Sequence, residues 1–129
     1  MPSPYSNSIP ILTIITVTLN DLKGFFKTAD SIIPYLSSNI QWIIKDGGSV
    51  PDIFTPIQSA VSSYAEIFSF NDQSIYSGMN YALSHARGRY VIFMNGGDTF
   101  SSSTCLSNLC ELLSNEIDET SIFIFPFIE

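Results

Sequence analysis

The run Ile9–Val17, "IPILTIITV", constrains this chain more than any other feature. It is rich in Ile, Val and Thr and almost continuously apolar. A strand with one wet face alternates polar and apolar residues. A strand apolar on both sides must be covered on both faces, as happens in a parallel sheet. Ile40–Lys45 ("IQWIIK"), Glu66–Phe70 and Tyr90–Met94 read as further strands. Ser121–Phe127, "SIFIFPF", reads as a last one, and Pro126 confines it to an edge or an end.

Between these runs the period changes from two to 3.6. Leu22, Phe25, Phe26, Ala29, Ile32, Ile33 and Leu36 share one helical face, with Asn20 and Asp21 as N-caps and Ser37–Asn39 as the stop. A second helix is expected from about Ile53 to Ser62, with Pro56 near its first turn. A third carries Ile75, Met79, Ala82, Leu83 and Ala86, capped by Asp72 or Ser74 and closed by Gly88. A fourth carries Leu106, Leu109, Cys110, Leu113 and Ile117. Strict strand–helix alternation implies a Rossmann-like α/β fold: a three-layer, open, mainly parallel sheet with helices on both faces. The 129 residues suit one domain, expected over residues 9–129 behind a frayed lead-in at residues 1–8.

Composition narrows the function classes. The chain has five Lys and Arg against twelve Asp and Glu, a formal net charge of −7. So few cations do not neutralise a row of phosphates, which argues against nucleic acid as a partner. No apolar run reaches the roughly 18–20 residues of a transmembrane segment, and the start lacks a basic region before its apolar stretch. Cys105 and Cys110 lie five apart on poorly matched helical faces and lack the partners of a zinc site. They read as reduced thiols, and the expected location is cytoplasmic. Trp42 reads as core, and His85 as a solvated residue late in its helix.

In an open parallel sheet, ligands bind at the carboxyl ends of the strands. Those ends carry "TVTLN" (Thr16–Asn20), "DGGS" (Asp46–Ser49), "ND" (Asn71–Asp72) and "NGGD" (Asn95–Asp98). Each alone is an ordinary turn, with glycine for positive φ and an acid as a cap. Four on one edge point to a site. Glycines beside a carboxylate let a ligand approach the backbone closely. Asp46 can accept hydrogen bonds from a base or ribose, and Asp98 can hold a divalent cation through oxygen. No Gly-x-Gly-x-x-Gly and no Gly-Lys-Ser/Thr loop is present.

The segments "ILTIITVTLN", "WIIKDGGS" and "SIYSGMNYALSHARGRYVIFMNGGDTF" resemble, in order and spacing, the first half of a glycosyltransferase family 2 domain, from about Pro10 to Phe100. The closest flavour is the bacterial branch that builds cell-surface polysaccharide, where "DGGS", "IYDAMN" and "FLNSGD" are common. The resemblance implies a GT-A fold and an inverting transfer of sugar from a nucleotide-sugar donor, often UDP-linked, to a saccharide or lipid-linked acceptor. It implies that Thr16, Thr18 and Asn20 lie beside the donor nucleotide, that Asp46 binds the base with Ser49 nearby, and that Asp72 and Asn80 approach the ribose and sugar. Asn95–Asp98 takes the place of the Asp-x-Asp motif, which holds Mn2+ or Mg2+ against the diphosphate. Here Asn95 replaces the first acid and Gly97 stands where the second is expected, leaving Asp98 as the metal residue. Ser77 replaces the acid of "IYDAMN", Tyr81 and Ala82 replace a common Lys-Gly, and Pro51 interrupts the usual "DGGSTD". The acceptor-binding half and its general base are expected outside this chain. The alternative is a catalytically inactive nucleotide-binding remnant or interaction module. In either case the Phe-rich last strand offers an edge for self-association.

Overall fold

The computed structural model describes residues 9–100, 105–114 and 124–126. The expected lead-in at residues 1–8 lies outside them. In chain order the elements are β1 (Leu12–Thr18), α1 (Leu22–Ile32), a 3₁₀ turn (Ile33–Tyr35), β2 (Ile40–Asp46), α2 (Pro51–Val61), β3 (Glu66–Ser69), α3 (Ile75–Leu83), β4 (Tyr90–Phe93), α4 (Cys105–Ser114) and β5 (Ile124–Pro126).

The five strands form one sheet in the order β3-β2-β1-β4-β5, and every pairing is parallel. The chain runs outward from β1 to β3, then returns to β1's other side for β4 and β5. β1 is central, and all seven of its residues are buried, as its continuous apolar run requires. Strand parity divides the core in two. Leu12, Ile14, Trp42, Ile44, Tyr90 and Ile92 face α1, α2 and α4, meeting Phe25, Ala29, Ile57, Val61 and Leu113. Ile15, Val17, Ile43 and Val91 face α3 through Ala82. Helices therefore cover both faces, giving the three-layer Rossmann-like architecture expected of the sequence.

Several boundaries differ from expectation. α1 stops at Ile32 because Pro34 has no N–H and its ring disfavours a further α turn; the chain continues as 3₁₀ to Tyr35. α2 starts at Pro51, whose fixed φ suits the first helical position, and carries Pro56 internally. Ser74, not Asp72, caps α3 in a reciprocal box with Ser77. α3 ends at Leu83, so Gly88 is not its stop. Instead a Cβ at Gly88 would stand 2.6 Å from the Thr13 nitrogen, so this glycine lets the chain pass against β1. β5 lies at the sheet edge and ends on Pro126. The part of the expected α4 beyond Ser114 lies outside the described residues.

The amino edge of the sheet is closed by side chains. Gln41 accepts from the Thr13 hydroxyl (2.7 Å) and the Arg87 N–H (2.7 Å), and its amide donates to Glu66 (2.9 Å) and to the His85 carbonyl (3.1 Å). Arg87 pairs with Glu66 at 2.9 Å, and Gly88 N–H donates to Thr13 Oγ1. Gln41 is 3% exposed, so its four bonds satisfy an amide that water scarcely reaches. His85, expected to be solvated, is half-buried and packs on Phe68 and Tyr81 at ring distances of 4.5 and 4.8 Å.

Candidate functional site

The opposite, carboxyl edge holds a cleft of about 380 Å³, walled by Val17–Leu19, Gly47 and Asp72–Ile75. It lies over the ends of β1 and β2, with the turn after β4 alongside. The register explains the convergence: Thr18 pairs with Asp46 and Asp46 with Ser69, so three strands end level.

The turn after β2 is built around Asp46, which is fully buried. Its Oδ2 accepts from the N–H groups of Gly48 (3.1 Å) and Ser49 (2.7 Å) and from the Ser69 hydroxyl (2.8 Å); its Oδ1 accepts from the Ser49 hydroxyl. Gly48 supplies the positive φ of 97° that the turn needs. Ser49 Oγ accepts in turn from Asn20 N–H, and Asn20 Oδ1 accepts from Val50 N–H. Asp46, Ser49 and Asn20 thus form one relay that locks the β1 and β2 ends together. All four donors to Asp46 come from the protein itself.

The turn after β4 is braced from three sides. Asn95 Oδ1 accepts from Val17 N–H in β1 at 3.1 Å. Asp98 Oδ2 accepts from Asn95 N–H at 3.0 Å, and Asp98 N–H donates back to the Asn95 carbonyl at 2.8 Å. Thr28, buried in α1, donates to the Asn95 carbonyl and accepts from Gly97 N–H. Gly97 has φ of 101°. The carboxylate of Asp98 therefore closes its own turn through one oxygen and leaves the other available.

The remaining expected residues separate by burial. Thr18 lines the cleft; it is 4% exposed, and its hydroxyl has no hydrogen-bond partner. Gly96 is close by, since a Cβ there would stand 3.4 Å from Thr18 Oγ1. Asp72 also lines the cleft. Thr16 does not reach it: one pleat further in, it is fully buried and accepts from the Trp42 indole N–H at 3.0 Å, which places Trp42 in the core, stacked near Phe25. Asn80 is exposed on α3, apart from the cleft wall.

Sequence reasoning missed Lys45. Its side chain is fully buried and pairs with Asp72 at 3.0 Å. A lone cation in the apolar run before "DGGS" was the available signal. Asp21 was read only as a cap, which it is, accepting from Gly24 N–H at 2.9 Å. Its second oxygen also lies 3.6 Å from where a Cβ of Gly96 would be.

A divalent cation of the kind the resemblance implies can be tested against these donors. Asn95 Oδ1 is turned to β1 and Gly97 has no side chain, so Asp98 provides the turn's free carboxylate oxygen. Among the described residues no group of three or more His, Cys, Asp or Glu converges. Mg2+ and Mn2+ sites on phosphate ligands use one or two protein carboxylates, the rest being phosphate oxygens and water. The donor set fits a cation carried mainly by a diphosphate and steadied by Asp98.

The sequence pattern of Glycosyl transferase family 2 matches residues 13–127. The chain belongs to glycosyltransferase family 2. It is 30% identical over 110 residues to uncharacterized glycosyltransferases from two strains of Mycobacterium tuberculosis, CDC 1551 and H37Rv. That match covers 84% of this chain and 42% of each relative, so the chain spans less than half their length. Among solved structures it resembles the mannosyltransferase PcManGT from Pyrobaculum calidifontis, in complex with GDP-Man and Mn2+, with a TM-score of 0.70 and 18% identity over 89% of this chain and 35% of that one. TarS from S. aureus gives a TM-score of 0.68 at 17% identity, covering 80% and 19% of the two chains. At these identities the likeness establishes the fold: the sheet and its helices are the amino-terminal half of a GT-A domain of family 2. No helix of the described residues is long and apolar enough to cross a membrane.

Proposed function

We propose that this family 2 chain is the donor-binding half of an inverting glycosyltransferase that takes a UDP-linked sugar and passes the sugar to a growing cell-surface saccharide or a lipid-linked acceptor, working in the cytoplasm at the inner face of the membrane. The observation that carries the reading is the unpartnered Thr18 hydroxyl, nine-tenths buried in the cleft wall beside the Gly96 turn. A buried hydroxyl without a partner is destabilising unless a ligand or water supplies one. The GDP-Man and Mn2+ bound by the structurally similar mannosyltransferase support a nucleotide-sugar and a cation as the ligand class.

In this reading the nucleoside lies in the cleft over Thr18, Gly47 and Asp72, and the diphosphate lies along the Gly96–Asp98 turn. Asp72, whose Oδ2 meets no donor among the described residues, takes the base-recognising role that the resemblance suggested for Asp46, because Asp46 already accepts four internal hydrogen bonds. A carboxylate acceptor favours a base with a ring N–H, such as uracil. Asp98 steadies the cation, which when bound would offset the charge developing on the leaving diphosphate. Asn20 and Ser49 hold the cleft's shape through the relay to Asp46. The base that deprotonates the acceptor hydroxyl is assigned to no residue of this chain.

Calorimetric titration with UDP and Mn2+ tests the reading. Wild-type binding, weakened on Asp98→Ala and on Thr18→Val with the fold retained, is the expected result. Wild-type protein that takes up no uridine nucleotide with or without Mn2+ sinks it. The second reading, a binding module without transfer, is favoured by the single acid left in "NGGD". Nucleotide binding with neither transfer nor donor hydrolysis after the 129 residues are joined to the acceptor-binding half of a longer family member supports that reading instead.

A further inference from the structure

Lys45 is the most deeply placed cation of the described residues, and its surroundings give it one evident task. Its Nζ donates to the Asp46 carbonyl (2.8 Å), to the Phe70 carbonyl (2.6 Å) and to Asp72 Oδ1 (3.0 Å), and it lies 3.8 Å from the centroid of the Phe70 ring. An ammonium has three hydrogens, so no donor remains for a ligand. A buried ion pair is a weak source of stability, because desolvating both charges offsets most of their attraction. An apolar residue would serve the core at least as well at this position.

The arrangement instead fixes Asp72. Oδ1 is held by Lys45, and Oδ2 sits between two glycines: a Cβ at Gly47 would be 3.3 Å from it and a Cβ at Gly78 would be 2.7 Å away. Neither glycine has a positive φ, so the missing side chains provide space rather than backbone freedom. Asp72 is 11% exposed, and that exposure opens into the cleft. With one oxygen anchored, the second has a single direction.

We infer that Lys45 is a positioning residue for nucleotide selection: without touching the ligand, it holds Asp72 so that Oδ2 meets the ring N–H of the base. This rests on the cleft being the nucleotide site. The test compares UDP with CDP, since cytosine presents a lone pair where uracil presents N–H, by calorimetry with Mn2+ on the full chain. Wild type is expected to prefer UDP by at least about tenfold, a difference typical of one hydrogen bond to a charged group. Lys45→Met, checked for fold by circular dichroism, is expected to weaken UDP binding about tenfold and bring the two nucleotides to within about threefold. Asp72→Asn is expected to do the same. If Lys45→Met does not fold, Lys45→Gln, which keeps two amide donors, is judged by the same ratio. A folded Lys45 variant with the wild-type ratio overturns the inference, and so does a wild type indifferent to the base. Absence of any nucleotide binding by wild type is a different result, and it fails the functional reading itself.

Discussion

Asn95 accepts a hydrogen bond from the backbone N–H of Val17 at 3.1 Å, so the side chain that opens the "NGGD" turn is fastened to β1. The amide oxygen closes a gap between two parallel strands just past their last ladder bonds. Removing it as Asn95→Ala leaves the Val17 N–H without its acceptor in a half-buried place. The expected loss is about 1–3 kcal/mol in urea unfolding. Asn95→Asp keeps an acceptor for Val17 and adds a second carboxylate oxygen. Its stability is expected to stay near wild type while Mn2+-dependent nucleotide binding tightens.

Asp46→Asn distinguishes support from contact. The amide nitrogen has no lone pair to offer, yet four donors converge on this side chain. One or more of them loses its acceptor whichever way the amide is turned. A destabilisation of about 2–3 kcal/mol is expected by denaturant titration, the scale of hydrogen bonds to a charged group. Nucleotide affinity at a temperature where the variant is folded should fall less than for Asp72→Asn.

Gly78→Ala sets helix propensity against the cleft. Alanine in a helix is normally better than glycine by about 1 kcal/mol. Here the added Cβ meets Asp72 Oδ2 at 2.7 Å, and Lys45 prevents that carboxylate from swinging away freely. The expected outcome is no gain in melting temperature together with weakened uridine nucleotide binding. A more stable protein with unchanged affinity would contradict the placement of Asp72.

Gly88→Ala is expected to be the most damaging single methyl. Besides the Thr13 hydroxyl oxygen at 2.7 Å, it would meet the Thr13 nitrogen at 2.6 Å and the Leu12 carbonyl carbon at 2.8 Å, the last two being backbone of the central strand. Neither moves without shifting β1. A loss of at least about 1–3 kcal/mol is expected in urea unfolding.

Cys110 gives a pH-dependent signature. Burial pushes its thiol above the ordinary value of about 9. A raised folded-state value means the neutral thiol is favoured by folding. That contribution is complete below the unfolded thiol's value and is lost as pH rises through the folded one. Alkylation by iodoacetamide should be slow at pH 8 in the native protein and fast after unfolding; equal rates would contradict the burial.

The architecture was legible because β1's unbroken apolar run leaves few alternatives to a doubly covered parallel sheet, and the helical stripes supply the cover. Pro34, unweighed in the apolar stripe, is why α1 was expected too long. Gly88 was misread because a glycine after a helix pattern looks the same whether it stops the helix or admits a neighbouring strand. The gathering of polar strand ends around one cleft was legible, since such ends collect on one edge of a parallel sheet. How each acid is held was not. Asp46 and Asp72 are equivalent as letters, and only three-dimensional pairing reveals that one is enclosed by its own turn while the other is anchored through Lys45 with an oxygen to spare. Thr16 and Thr18 differ in the same way: they lie on one side of β1's pleat, but the first lies under Trp42 and the second reaches the rim.

The amino-edge lattice of Thr13, Gln41, Glu66 and Arg87 ties β1, β2 and β3 to the segment entering β4, at the end of the sheet farthest from the cleft. Register is thereby braced at the amino edge, in addition to the bonds made by the turns at the carboxyl edge. Such a frame lends itself to loop grafting: the segments after β1, β2 and β4 can be exchanged for those of another family member while the strands keep their alignment. Replacing Gln41 with Leu should remove that tolerance first, before it removes the fold.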